Sequence, residues 1–80
     1  MKKFIEVHLG SHSISHGYDE NNVEVEESVS VKGFSKKLVA VDRIKSLSDK
    51  HLLTDYLDGR WIYWEYQEEY NELRKLLLED

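Results

Sequence analysis

Three histidines spaced four apart, His8, His12 and His16, are the groups in this chain best placed to do chemistry. On a helix, such spacing sets two imidazoles one turn apart, where they can chelate a divalent cation. Asp19 and Glu20 stand close enough in sequence to add oxygen ligands. The surrounding residues argue against that helix. Gly10 and Gly17 flank the histidines and serines separate them, which is loop chemistry. Without a helix the spacing loses its geometric meaning, so residues 10–22 read as a solvated, flexible loop. His8, His12 and His16 remain metal candidates only, and no metal or other cofactor is assigned. His51 stands alone and reads as the end of a strand.

Nucleophilic and hydrolytic chemistry find little support. The chain has no cysteine, hence no thiol nucleophile and no disulfide. Its serines lack a Gly-x-Ser-x-Gly setting. There is no phosphate loop, dinucleotide fingerprint or zinc-finger spacing. Asp58 is accounted for by a turn, and Asp55 by an ion pair with Arg60. Paired carboxylates working on a substrate need a cleft, which a chain of 80 residues rarely supplies. The expectation is a protein that is not an enzyme and has no catalytic residue.

Two further groupings concern binding. Trp61, Tyr63 and Trp64 beside Arg60 could stack on bases, as in single-strand binders. That needs a basic groove, and the net charge is −5. Residues 1–31 carry two bases against six acids, and residues 32–80 nine against ten. Phosphate recognition needs clustered cations, so these aromatics read as core or protein interface, and no nucleic acid is expected. Asp19, Glu20, Glu24, Glu26 and Glu27 form the acidic half. They are either a solubilising surface or a face for a basic protein, as in an inhibitor or decoy.

These groups must be carried by a small α+β domain spanning 1–80. The expected architecture is an antiparallel twisted sheet of about four to five strands followed by one C-terminal amphipathic helix. The first strand covers 3–9, with Ile5, Val7 and Leu9 on one face. Residues 23–31 alternate, with Val23, Val25, Val29 and Val31 on one face and Glu27 breaking it. A bulge near Glu26-Glu27, or an edge position, would accommodate that break. Residues 38–41 fit a central strand or a buried helical turn, a short turn or extended segment follows Val41, and residues 46–50 are a polar connector.

Residues 52–65 read as a hairpin closed by a two-residue type I′ turn at Asp58-Gly59. That register pairs Tyr56 with Trp61 and Thr54 with Tyr63 on one face, and Asp55 with Ile62 and Leu53 with Trp64 on the other. Residues 66–79 hold the helix, with its body at 67–78 and a stripe of Tyr66, Tyr70, Leu73 and Leu77. One helix covers one face. The second apolar face, carrying either Tyr56, Trp61 and Tyr63 or Leu53, Ile62 and Trp64, then belongs to a partner or a second copy, unless the sheet curls to bury both.

The stretch Val39-Ala40-Val41-Asp42-Arg43-Ile44, the hairpin Leu52 to Glu65 and the terminal helix together resemble the FlbD-type small proteins. These are associated with flagellar and swarming motility, with look-alikes in bacteriophages and mobile elements. The opening Phe4-Ile5-Glu6-Val7 is similar too. Residues 10–31 depart from that pattern as an insertion, and Gln67 stands where the family tends to have serine. The resemblance implies a non-enzymatic accessory protein of bacterial or phage origin. No apolar run is long enough to span a membrane and no signal segment is visible. The expectation is a cytoplasmic interaction module that binds a protein partner or itself.

Overall fold

A single 15-residue strand, β1 (Phe4–Tyr18), organises the molecule. The computed structural model describes residues 3–79; the basic opening Met1-Lys2 and the terminal Asp80 lie outside them. The other strands are β2 (Glu24–Val29), β3 (Ser35–Ala40), β4 (Ile44–Leu47), β5 (Leu52–Asp55) and β6 (Trp61–Tyr66), followed by helix α1 (Tyr70–Leu78). The result is an antiparallel sheet and one C-terminal helix, with six strands rather than four to five. The strand beyond the expected number is β4, which pairs with β5.

The segment expected as a flexible loop at 10–22 is mostly strand. β1 runs through it because two neighbours satisfy its backbone: β2 along one side and β6 along the other. Paired neighbours override the weak strand preference of serine and glycine. The true turn is shorter. The Asp19 side chain accepts the amides of Asn21 (2.8 Å) and Val23 (3.0 Å), and Asn22 takes a positive φ of 63°. Asparagine tolerates that conformation better than most residues.

β2 and β3 lie in line along the same side of β1. Between them, residues 30–34 face only Gly10 and Ser11, so the second arm of this long ribbon bows there, with the Gly33 carbonyl and Phe34 ring over Gly10. Ser11 anchors the bow: its hydroxyl donates to the Val31 carbonyl (3.3 Å) and accepts the Val31 amide (3.1 Å). β3 therefore pairs with β1 alone, and is not a central strand. Val41 leaves it for a 3-10 turn, Val41–Arg43, that leads into β4. Glu27 needs no bulge at Glu26-Glu27. The register there is continuous, and the irregularity lies opposite, between Ser15 and Tyr18.

The hairpin keeps its turn but not its register. Asp58 and Gly59 both take positive φ, 59° and 73°, and the Arg60 amide closes the turn on the Leu57 carbonyl. One extra residue then enters the first arm, with Tyr56 and Leu57 standing against Arg60. The pairs become Asp55 with Trp61, Thr54 with Ile62, Leu53 with Tyr63 and Leu52 with Trp64. A one-residue slip exchanges the partners across every face. Leu52, Thr54 and Ile62 are thus buried together, and Trp61 and Tyr63 share the other face with Leu53 and Asp55.

Ile5, Val7 and Leu9 point inward as their alternation requires. Val7, Leu9 and Leu52 meet Leu73 of the helix in the central cluster, flanked by Ile44, Leu47 and Tyr66. Each such side chain contributes about 1.5–3 kcal/mol on burial. The helix begins at Tyr70, later than 67, and Tyr66 belongs to β6 rather than to the helical stripe. Residues 67–69 are spent on docking. The Gln67 amide donates to the His8 carbonyl (3.0 Å), and Glu68 accepts the His8 backbone amide (3.1 Å) and Nδ1 (2.9 Å). The Tyr66 hydroxyl donates to the Ser48 carbonyl at 2.6 Å. Burial, the nearby Asp49 charge and then Tyr70 push that phenol above its ordinary value.

Partial burial pushes the Glu68 carboxyl up, yet the hydrogen bonds from His8 outweigh it and hold the group below the ordinary 4.5. A depressed folded-state value means stability that is full above the unfolded-state value and is lost as pH falls through the folded one. Thermal melts should therefore lose midpoint as pH drops below 4.5, the ordinary carboxyl value. Glu68→Gln should lower stability by about 1–2 kcal/mol at neutral pH and flatten that acid limb. An unchanged acid limb in the variant would remove this dock from the account.

Candidate functional site

The histidines do not converge. Leu9 pairs with Tyr66 and His12 with Trp64, so one extra residue of β1 sits at Gly10-Ser11. Leu9 and His12 then share a face, and His8 falls on the opposite one. His8 is held by Glu68. The His12 ring lies 4.2 Å from that of Trp64, and its Nδ1 donates to the Gly10 carbonyl. His16 donates through Nε2 to Glu27 (3.1 Å) and accepts from Arg60 at Nδ1 (3.4 Å). Among the described residues no group of three or more His, Cys, Asp or Glu could hold a metal ion.

The acidic residues are split between structure and surface. Asp19 builds the turn, and Glu24 accepts the hydroxyl of buried Ser15 at 2.8 Å. Glu20, Glu26 and Glu27 are exposed. Asp55 pairs with Arg43 (3.1 Å) and Lys45 (3.8 Å), not with Arg60. Arg60 instead lies over the Tyr56 ring, 4.8 Å from its centroid. Trp61 is exposed, and Tyr63 is half-buried with its ring edge-on to His51. Tyr56 stands apart from both, in the extra residue of the hairpin.

A different feature emerges on the other face. A groove of about 330 Å³ opens between β3 and the end of β5, with Leu9, Ile62 and Trp64 among its lining residues. Trp64 is held in place by a hydrogen bond from Nε1 to the Thr54 hydroxyl (3.0 Å). The Lys37 ammonium lies 5.8 Å from the Trp64 ring centroid, and the Arg43–Asp55 ion pair also lines the groove. One wall is β3 itself, whose outer edge pairs with no other strand among the described residues. An open row of backbone donors and acceptors next to an apolar groove can take an added strand and seat its alternate side chains.

Exposed apolar residues occur on this edge, as they do at the hairpin turn (Leu57) and the end of α1 (Leu78). Leu38 is 67% exposed, Val23 58% and Val25 43%. Leu38 and its neighbours were expected inside the sheet, because a continuous apolar run resembles a buried strand. Lys36-Lys37, just before that run, is the signal of an edge, where lysines commonly guard open backbone.

Among the described residues no helix is long and apolar enough to cross a membrane. Comparison with protein-family models, curated proteins and solved structures finds no match.

Proposed function

We propose that this chain is a non-catalytic protein-interaction module that docks its partner along β3 and the adjoining groove. The observation that supports this most is the free edge of β3 set beside an apolar groove. Exposed Leu38 adds apolar surface beside that groove. The FlbD-type resemblance agrees with an accessory role in a bacterial or phage assembly. On the face of Trp61 and Tyr63, Tyr63 is half-buried against His51 while Trp61 is exposed.

The acidic decoy remains a second reading. Glu20, Glu26 and Glu27 are exposed on one arm of the ribbon and its turn. Binding of a basic protein there should weaken steeply as salt rises, since exposed charges are screened within about 10 Å at 0.1 M.

Site-specific photocrosslinking in cells separates the docking edge from the rest of the surface. A photoreactive side chain at position 38 should give adducts of defined mass. The same group at Lys75, on the exposed side of α1, should give none. Equal labelling from both positions, or none from position 38, would contradict the proposed surface.

A further inference from the structure

Both halves of the free edge carry charge, and the two halves are opposite. β2 holds Glu24, Glu26 and Glu27 and no base, whereas β3 holds Lys36 and Lys37 and no acid. Glu26, Glu27, Lys36 and Lys37 are all exposed. Among the described residues Glu26, Lys36 and Lys37 form no ion pair within the chain. We infer that the occupant of this edge is a second copy of the same chain, added antiparallel so that β2 of each copy pairs with β3 of the other. This deepens the interaction-module reading and rests on it.

The geometry restricts the pairing. An antiparallel join of two identical edges is made by a two-fold axis normal to the sheet, which keeps inner face with inner face. In β2, Glu27 and Val29 share the face of Ile14 and His12; in β3, Lys37 and Val39 share the face of Val7 and Ile5. Odd-numbered residues of both strands therefore point the same way. Faces match only when odd pairs with odd, which centres the axis on a residue and not between two. Val31 and Lys32, inside the bow, are the central choices.

About Val31, Glu26 meets Lys36 and Val23 meets Val39. About Lys32, Glu27 meets Lys37 and Val25 meets Val39. Either register sets acid against base twice by symmetry and brings an exposed valine to the groove wall. A parallel join would set β2 on β2, glutamate against glutamate. Opposite charges directly across strands add about 0.2–1 kcal/mol per pair, and like charges subtract.

The test is sedimentation velocity on the full chain and two charge-swapped variants, Glu26→Lys with Glu27→Lys, and Lys36→Glu with Lys37→Glu. The wild type should dimerise at high concentration, less strongly as salt rises. Each variant alone should weaken the dimer tenfold or more, with unchanged circular dichroism because all four side chains are exposed. Mixing the two variants should restore a heterodimer, since both contacts then become complementary. A wild-type dimer that the swaps leave intact, or swapped variants that fail to pair when mixed, would overturn edge pairing while leaving an interaction module. A monomeric wild type that still crosslinks other proteins from position 38 would overturn only the second copy as occupant. A monomer without such crosslinks would defeat both readings.

Discussion

Leu73→Ala is expected to lower the unfolding free energy by about 3 kcal/mol, within the range for a leucine emptied from a packed core. Leu73 is 1% exposed and is the one helical residue fully inside the central cluster with Val7, Leu9 and Leu52. A domain this small has a total stability on the order of 5 kcal/mol. The melting midpoint should therefore fall by roughly 12–24 °C, taking about 4–8 °C per kcal/mol. Leu78→Ala is the control. Leu78 ends the same helix but is 70% exposed, so its loss should change stability by less than about 0.5 kcal/mol. Thermal melts of the two variants check both values. Equal effects would mean that α1 is not docked through Leu73.

Gly10→Ala should be the second most damaging change, at about 1–3 kcal/mol. A Cβ at Gly10 would lie 2.8 Å from the Gly33 carbonyl oxygen and 2.9 Å from the Phe34 ring. The ring can swing aside, but the carbonyl belongs to the bow between β2 and β3. The double variant Gly10→Ala with Phe34→Ala should therefore remain destabilised. Full recovery in the double variant would show that the ring alone requires glycine. Gly10 is also where β1 carries its extra residue against β6, so this substitution strains the junction of the ribbon with the rest of the sheet.

The contrast between Leu73 and Gly10 shows what a chain pattern can convey. Apolar spacing is local, so the inward face of Ile5, Val7 and Leu9 and the presence of a Leu-rich terminal helix were legible. Asp58-Gly59 was legible as a turn because both residues must adopt positive φ. The extra residues at Gly10-Ser11 and at Tyr56 were not, because each is set by pairing with a distant strand. They decide which side chains share a face. They separate His8 from His12, and they move Trp64 to the side of Leu52.

The strand at 10–18 was hidden for a related reason. Serine, histidine and glycine carry no strand preference, and the segment extends because β2 and β6 flank it. The helix start was misplaced because nothing in Gln67-Glu68 signals that both dock on His8 across 60 residues. The groove was equally invisible. Its walls, β3 and β5, are not adjacent in the chain, and its lining includes Leu9, Trp64 and Lys37 from three different strands.

The surface named for docking is the edge of β3, continued by β2. Amide hydrogen exchange reports directly on whether that edge gains hydrogen-bond partners. In dilute solution the outward amides of residues 35–40 should exchange fast while those of β1 are protected by β2, β3 and β6. With rising protein concentration, or with an added partner, protection should appear across residues 24–29 and 35–40 and not at the turn residues 57–59. Protection that stays constant along this edge, or grows instead around Trp61 and Tyr63, would contradict it.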